Sequence, residues 1–185
     1  CLFVLVEFRN ISRAEIMDEK TAVGMGVIID GSVYRGAGSS AGEFRSILRS
    51  ERHPGQFSLD EEEVAVVDSD DAVRSKFIRE LARNLALFVN TFNFDAVVLG
   101  GDIERYQTEV ISVLQEEMDR NWAYPGPVAC EIRFSSLGER AAAYGAAGMM
   151  LDRLFTEFDM VDHNELMTVS GIPMTPLWNR YSPSR

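Results

Sequence analysis

The stretch Gly24-Met-Gly-Val-Ile-Ile-Asp-Gly-Ser-Val-Tyr-Arg-Gly-Ala-Gly-Ser-Ser-Ala-Gly-Glu43 decides how the chain is read. Its β-branched apolar residues predict a strand over Thr21–Ile29, in which Gly24 and Gly26 mark a bulge or a close backbone approach. Asp30-Gly31 is a hairpin-turn dipeptide, because both positions accept the positive φ that a tight two-residue turn needs. Val33 and Tyr34 then open a short third strand, and the glycine and serine loop Gly36 to Gly42 leads to Glu43. Upstream, Cys1 to Phe8 is β-branched and aromatic and reads as the first strand. Together these segments predict an antiparallel meander. The charged connection Arg9 to Lys20 reads as a loop or a hairpin continuation.

Downstream the periodicity changes. Phe44 to Leu59 has no period and holds His53-Pro54-Gly55, so it reads as a loop. Ser58 with Glu61 fits a capping box for a short acidic helix, about Leu59 to Val66. Asp70 or Asp71 caps a long helix to about Asn93, with Phe77, Ile78, Leu81, Leu85, Phe88, Val89 and Phe92 at helical spacing. The apolar run Ala96 to Leu99, ending in Gly100-Gly101, suits a buried parallel strand. A helix follows over about Ile103 to Arg120, then a strand over Val128 to Phe134. Ser136 and Glu139 suggest a capping box for a last helix, Glu139 to Phe155. Without the small acidic helix the order is β-β-β-α-β-α-β-α. It predicts an α/β fold with a mixed sheet of five strands and helices on its faces.

The 185 residues, 46% of them apolar, suffice for one core, and no apolar run is long enough for a membrane helix. With 29 acidic against 18 basic residues the net charge is −11, which opposes binding of a phosphate backbone by this chain itself. Cys1 and Cys130 form neither a disulfide framework nor a metal cluster, so a cytoplasmic setting is expected. The acidic runs Glu61–Glu63 and Asp68–Asp71 lack the spacing of a calcium loop and read as solvated helix ends.

The Gly24–Glu43 pattern, Val97-Val-Leu-Gly-Gly101 and Gly145-Ala-Ala-Gly148, in this strand order, resemble the ROK family of bacterial sugar kinases and carbohydrate-responsive repressors. The resemblance spans about residues 1 to 155. It implies an actin-like, ribonuclease H-like domain over 1–160, followed by an extended tail over 161–185. It also implies that the chain is the C-terminal part of a longer protein. By the same resemblance Glu43, with Gly36 and Gly42 in the loop before it, would bind sugar. A carboxylate accepts bonds from two adjacent hydroxyls, and glycines let the backbone approach the ring. Gly100 and Gly101 would be the remnant of a nucleotide site.

The sequence departs from the family in two ways. Where the family places a histidine and then a zinc-binding cysteine cluster, this chain has Ser46, with Arg45 in place of a glycine, and no cysteine in Ile47 to Asp60. His53 alone cannot complete a four-ligand site, so no metal and no other cofactor is expected. Where the family has a glycine-bearing phosphate turn, Arg9 to Lys20 has no glycine. The expectation is therefore not an enzyme but the ligand-sensing and oligomerisation domain of a xylose-repressor-like regulator. Its partners would be a carbohydrate effector and further copies of itself, with DNA reached through a domain absent from this chain. The alternative is the C-terminal half of an ATP-dependent sugar kinase. Elemental analysis of protein purified without added metal is expected to find no zinc; one equivalent per chain would contradict this reading of Ser46 to Asp60.

Overall fold

The computed structural model describes residues 1–8, 21–50 and 55–156. The expected loop Arg9–Lys20, His53 and the tail 161–185 lie outside the described residues. The chain divides into two compact units, Cys1–Ala141 and Ala142–Arg185.

In the first unit β1 (Leu2–Phe8), β2 (Thr21–Ile29), β3 (Ser32–Tyr34), β4 (Ala96–Gly101) and β5 (Glu131–Phe134) form one sheet in the order β3-β2-β1-β4-β5. The β1–β2–β3 pairs are antiparallel and the β1–β4–β5 pairs parallel, so the sheet is mixed, as the meander and βα pattern predict. The β2–β3 turn has positive φ at both Asp30 (51°) and Gly31 (76°), the geometry of a two-residue hairpin. The β1–β2 register runs without interruption from Leu2↔Val27 to Phe8↔Thr21, so Gly24 and Gly26 make no bulge.

Alternation fixes which face is buried. Leu2, Val4 and Val6 of β1 and Val97 and Leu99 of β4 are at most 1% exposed and point to one side, in register as Leu2↔Val97 and Val4↔Leu99. That side is covered by the helices α2 (Asp71–Phe92) and α3 (Gln107–Asn121), which pack on each other and share the core with the strands. Phe77 sits at the centre, 4.6 Å from the Phe57 ring and 5.7 Å from the Phe8 ring.

Several boundaries differ from the sequence expectation. Asp60, not Ser58, caps α1 (Glu61–Val66), in a box with Glu63, because both the amide and the hydroxyl of Ser58 are taken by Glu80. Asp70 caps α2, and Asn93 in the left-handed conformation ends it. The helix expected from Ile103 begins as a 3₁₀ turn, Asp102–Tyr106, before α3. Strand β5 is shorter than Val128–Phe134, with pairing only from Glu131. The last helix, α4 (Ala141–Thr156), is entered through a 3₁₀ turn, Gly138–Arg140, whose N-cap is Leu137 without a side-chain bond. Ser136 therefore does not cap it; the Ser135 hydroxyl accepts the Leu137 amide instead.

Phe77 is 1% exposed and contacts two other rings, so Phe77→Ala should cost about 3–5 kcal/mol. That is a large part of the ~5–15 kcal/mol of an ordinary domain. Urea unfolding is expected to show a much lower midpoint or an unfolded variant; an unchanged midpoint would mean the core is centred elsewhere.

Candidate functional site

The loop after β3 closes on itself, the Ala41 amide donating to the Arg35 carbonyl at 3.0 Å, with Gly36 in the turn. Its far end then docks on β2. The Met25 amide donates to the Gly42 carbonyl at 3.0 Å, and Glu43 forms a bridge with Gly24. Gly42 has φ +100°, and a Cβ there would lie 2.0 Å from the Met25 carbonyl oxygen, so no side chain fits. The close approach that the sequence assigns to the strand glycines is thus made by the loop glycine.

The docking has a consequence for placement. Leu5 of β1 is opposite Gly24 in β2 and opposite Gly100 in β4, and Gly24 is opposite Glu43. Paired residues present their side chains to the same face. Glu43, Gly24, Leu5 and Gly100 therefore form one row across the sheet, on the face opposite α2 and α3. Three strand spacings of ~4.8 Å put the ends of the row about 14 Å apart. Gly36 lies at the start of the loop, where a Cβ would come within 2.9 Å of the Ala41 side chain. Glu43 is exposed, while Phe44 (3% exposed) turns into the core, and a Cβ on Gly24 would meet nothing within 4 Å. The carboxylate thus borders open backbone.

Beneath it, α2 holds the segment with buried polar side chains. Asn84, 1% exposed, donates to the Ser46 hydroxyl at 3.0 Å and to the Glu80 carbonyl at 2.8 Å, and accepts the Ile47 amide at 2.9 Å. Glu80, 4% exposed, accepts the amide and hydroxyl of Ser58 at 2.8 and 2.5 Å. Gln56 accepts the Val23 amide and donates to the Val23 and Phe44 carbonyls, acting as one more rung beside β2. Buried polar groups of this kind persist only when their bonds are made. Sequence reasoning missed Gln56, Glu80 and Asn84, and read Gly24 as a bulge or close approach rather than the partner of Glu43; for Glu80 and Asn84 a polar pair at i, i+4 on the apolar stripe of α2 was the available signal. Of the stretch Ile47 to Asp60, read as having no zinc cluster, the described residues Ile47, Gln56 and Ser58 are bonded by amides and a carboxylate. Among the described residues no group of three or more His, Cys, Asp or Glu could hold a metal ion.

The other end of the row is closed. Gly101 (φ +85°) passes so near β1 that a Cβ would lie 2.3 Å from the Val6 carbonyl oxygen, and Gly100 is covered by Phe3 and Ser135. The Gly101 amide donates to Glu104 at 3.0 Å and the Phe8 amide to Asp102 at 2.7 Å. Asp102 also pairs with Arg105 at 3.1 Å, and Arg105 with Asp68 at 3.0 Å. Tyr106 donates to Asp68 at 2.8 Å; burial, and then this bond, push its hydroxyl up, so it stays protonated. Cys130 is free and its thiol is pushed up chiefly by burial, which makes it a poor nucleophile.

The sequence model of the ROK family matches residues 58–153. The chain belongs to the ROK family. Solved structures with a similar fold include a ROK hexokinase from Thermus thermophilus, 19% identical, covering 79% of this chain and 55% of that one at a TM-score of 0.52. A ROK glucokinase from Streptomyces griseus in complex with glucose and AMPPNP is also 19% identical, covering 80% of this chain and 60% of that one at 0.50. A ROK transcriptional regulator described as a homologue of the E. coli MLC protein is 15% identical, covering 72% and 41% at 0.46. No curated protein matches the sequence. The ROK chain thus spans 41–60% of the length of these three structures. Its mixed sheet with covering helices is the actin-like sheet of the ROK sugar kinases. No helix among the described residues is long and apolar enough to cross a membrane.

Asn84→Ala removes the acceptor for the Ile47 amide, a loss of about 1–3 kcal/mol of local hold. Amide hydrogen exchange at Ile47 should accelerate roughly five- to a hundredfold, with Leu85 and Val97 unchanged. Equal protection at Ile47 in variant and wild type would show that Asn84 does not hold the Glu43 segment.

Proposed function

We propose that this chain is the ligand-sensing and oligomerisation domain of a ROK-type, xylose-repressor-like transcriptional regulator, with a carbohydrate effector held at Glu43. The observation that carries the reading is the Glu43 carboxylate itself. It is exposed, it borders the open backbone of Gly24, and its segment is fixed from below by Gln56 and Asn84. A fixed carboxylate beside bare backbone suits two vicinal hydroxyls and the face of a ring. Sugar bound in a cleft completed by another part of the full protein would favour the closed state, and an attached DNA-binding domain would follow that equilibrium. DNA contacts would come from outside this acidic chain, and copies of the chain would assemble with one another in the cytoplasm.

The alternative, half of an ATP-dependent sugar kinase, needs backbone amides free to receive phosphate at the ends of the parallel strands. The amides of Phe8 and Gly101 at that edge are bonded to Asp102 and Glu104 and are not free to receive phosphate. The pair Gly100 and Gly101 is accounted for by close packing, which supports a vestigial nucleotide site and a domain that is not an enzyme.

Glu43→Gln should weaken carbohydrate binding roughly ten- to a hundredfold, because a bond to a charged acceptor contributes about 1.5–3 kcal/mol. Calorimetric titration of the full-length protein with common hexoses and pentoses, alongside thermal melts, checks it; unchanged affinity in a folded variant would contradict the assignment. A coupled assay over the same sugars with ATP is expected to show no phosphorylation, and turnover at ordinary kinase rates would favour the alternative.

A further inference from the structure

We propose that the Glu43 site takes a sugar carrying a negative charge, a sugar acid or a sugar phosphate, and that Arg45 is the residue that selects it; this rests on the carbohydrate reading of Glu43. Burial alternates along the segment, with Glu43, Arg45 and Ile47 exposed and Phe44 and Ser46 buried. The side chains of Glu43 and Arg45 therefore leave the same side of the segment, with Cα atoms ~7 Å apart at two extended residues' rise. That separation is about the width of a sugar ring. A ring whose hydroxyls bond Glu43 brings a substituent on its far side to the guanidinium.

Pairing elsewhere in the chain makes Arg45 stand out. With 29 acidic and 18 basic residues, carboxylates are in excess. Arg74, Arg79, Arg83, Arg105 and Arg120 each have a carboxylate within ion-pair distance. Arg45 has no hydrogen bond or ion pair among the described residues, and neither does the Glu43 side chain beside it. The Arg35 side chain, exposed at the start of the same loop, is also without one among the described residues. A guanidinium offers a planar fork of donors that fits a carboxylate or a phosphate in two parallel bonds. Its backbone is already fixed, because Ser46 next to it is buried and bonded to Asn84, so less freedom is lost on binding. The chain's overall charge of −11 opposes an anion at long range. Salt screens that field beyond ~8 Å, whereas a direct ion pair is retained. A neutral sugar would use Glu43 and leave both arginines in water.

Calorimetric titration of the full-length protein at one ionic strength with glucose, glucose 6-phosphate, glucuronate and inorganic phosphate tests this. At least one of the two charged sugars is expected to bind tenfold or more tightly than glucose, and which one does so separates a phosphate from a carboxylate ligand. In Arg45→Ala that ratio should collapse toward one, with the thermal melt unchanged because the side chain is exposed; Arg45→Lys should restore part of it. Binding of inorganic phosphate as tight as that of the charged sugars would overturn the proposal in favour of a plain anion site. Glu43-dependent binding of glucose with no preference for the charged sugars would overturn it and leave the carbohydrate reading standing. Absence of any Glu43-dependent binding would overturn both.

Discussion

A strand-like segment can lie against the carbonyl of Met25 only if position 42 carries no side chain, and the placement of the site follows from that contact. With any Cβ at 42 the Met25 carbonyl oxygen would be 2.0 Å away. With glycine there, the Met25 amide bonds the Gly42 carbonyl, Glu43 pairs with Gly24, and Phe44 turns into the core beside Phe57. One residue's slip would exchange the faces of Glu43 and Phe44, burying a charge and exposing a ring. The register of a short segment thus decides whether the carboxylate is available at all.

The hold on that segment is polar. Asn84 uses both its amide nitrogen and its carbonyl oxygen, Glu80 both carboxylate oxygens, and Gln56 both ends of its amide, so the buried groups bring their own partners. Each bond contributes only about 1 kcal/mol net, but an orphaned buried partner costs about 1–3 kcal/mol. Such an arrangement favours one loop conformation over its neighbours more than it raises overall stability. At the opposite end of the same row the carboxylates of Asp102 and Glu104 complete the strand ends from within. The two ends of the row therefore differ in kind. One leaves a charge without a partner among the described residues, and at the other the Phe8 and Gly101 amides are both bonded.

Much of the fold was legible because its signals are local and periodic. The α2 stripe from Phe77 to Val89, the Asp70 cap, the Asp30-Gly31 turn and the glycine-terminated run ending at Gly101 each follow from short-range chemistry. The capping boxes that spacing offered were not formed. Ser58 fits a capping box by spacing, yet Glu80, twenty-two residues away, takes both of its donors. Ser136 fits a second box, yet the chain enters α4 through the Gly138 turn, and Ser135 makes the local bond. At Ser58 a long-range partner wins, and at Ser136 a neighbouring local bond does. Long-range partners also hid Asn84 and Gln56, which read as ordinary polar residues until the loop is seen lying on them. Glu43 was singled out through its loop pattern and the resemblance that pattern carries, but its alignment with Gly24, Leu5 and Gly100 needed the strand register.

The central claim is that Glu43 is the sugar-facing end of that row. A crystal structure of the full-length protein grown with a carbohydrate that it binds tests this most directly. The account predicts two adjacent ring hydroxyls on the Glu43 carboxylate at about 2.7 Å, with the ring over Gly24 and the Gly42–Met25 contact intact. A sugar bound away from the row, with Glu43 left in solvent, would contradict it.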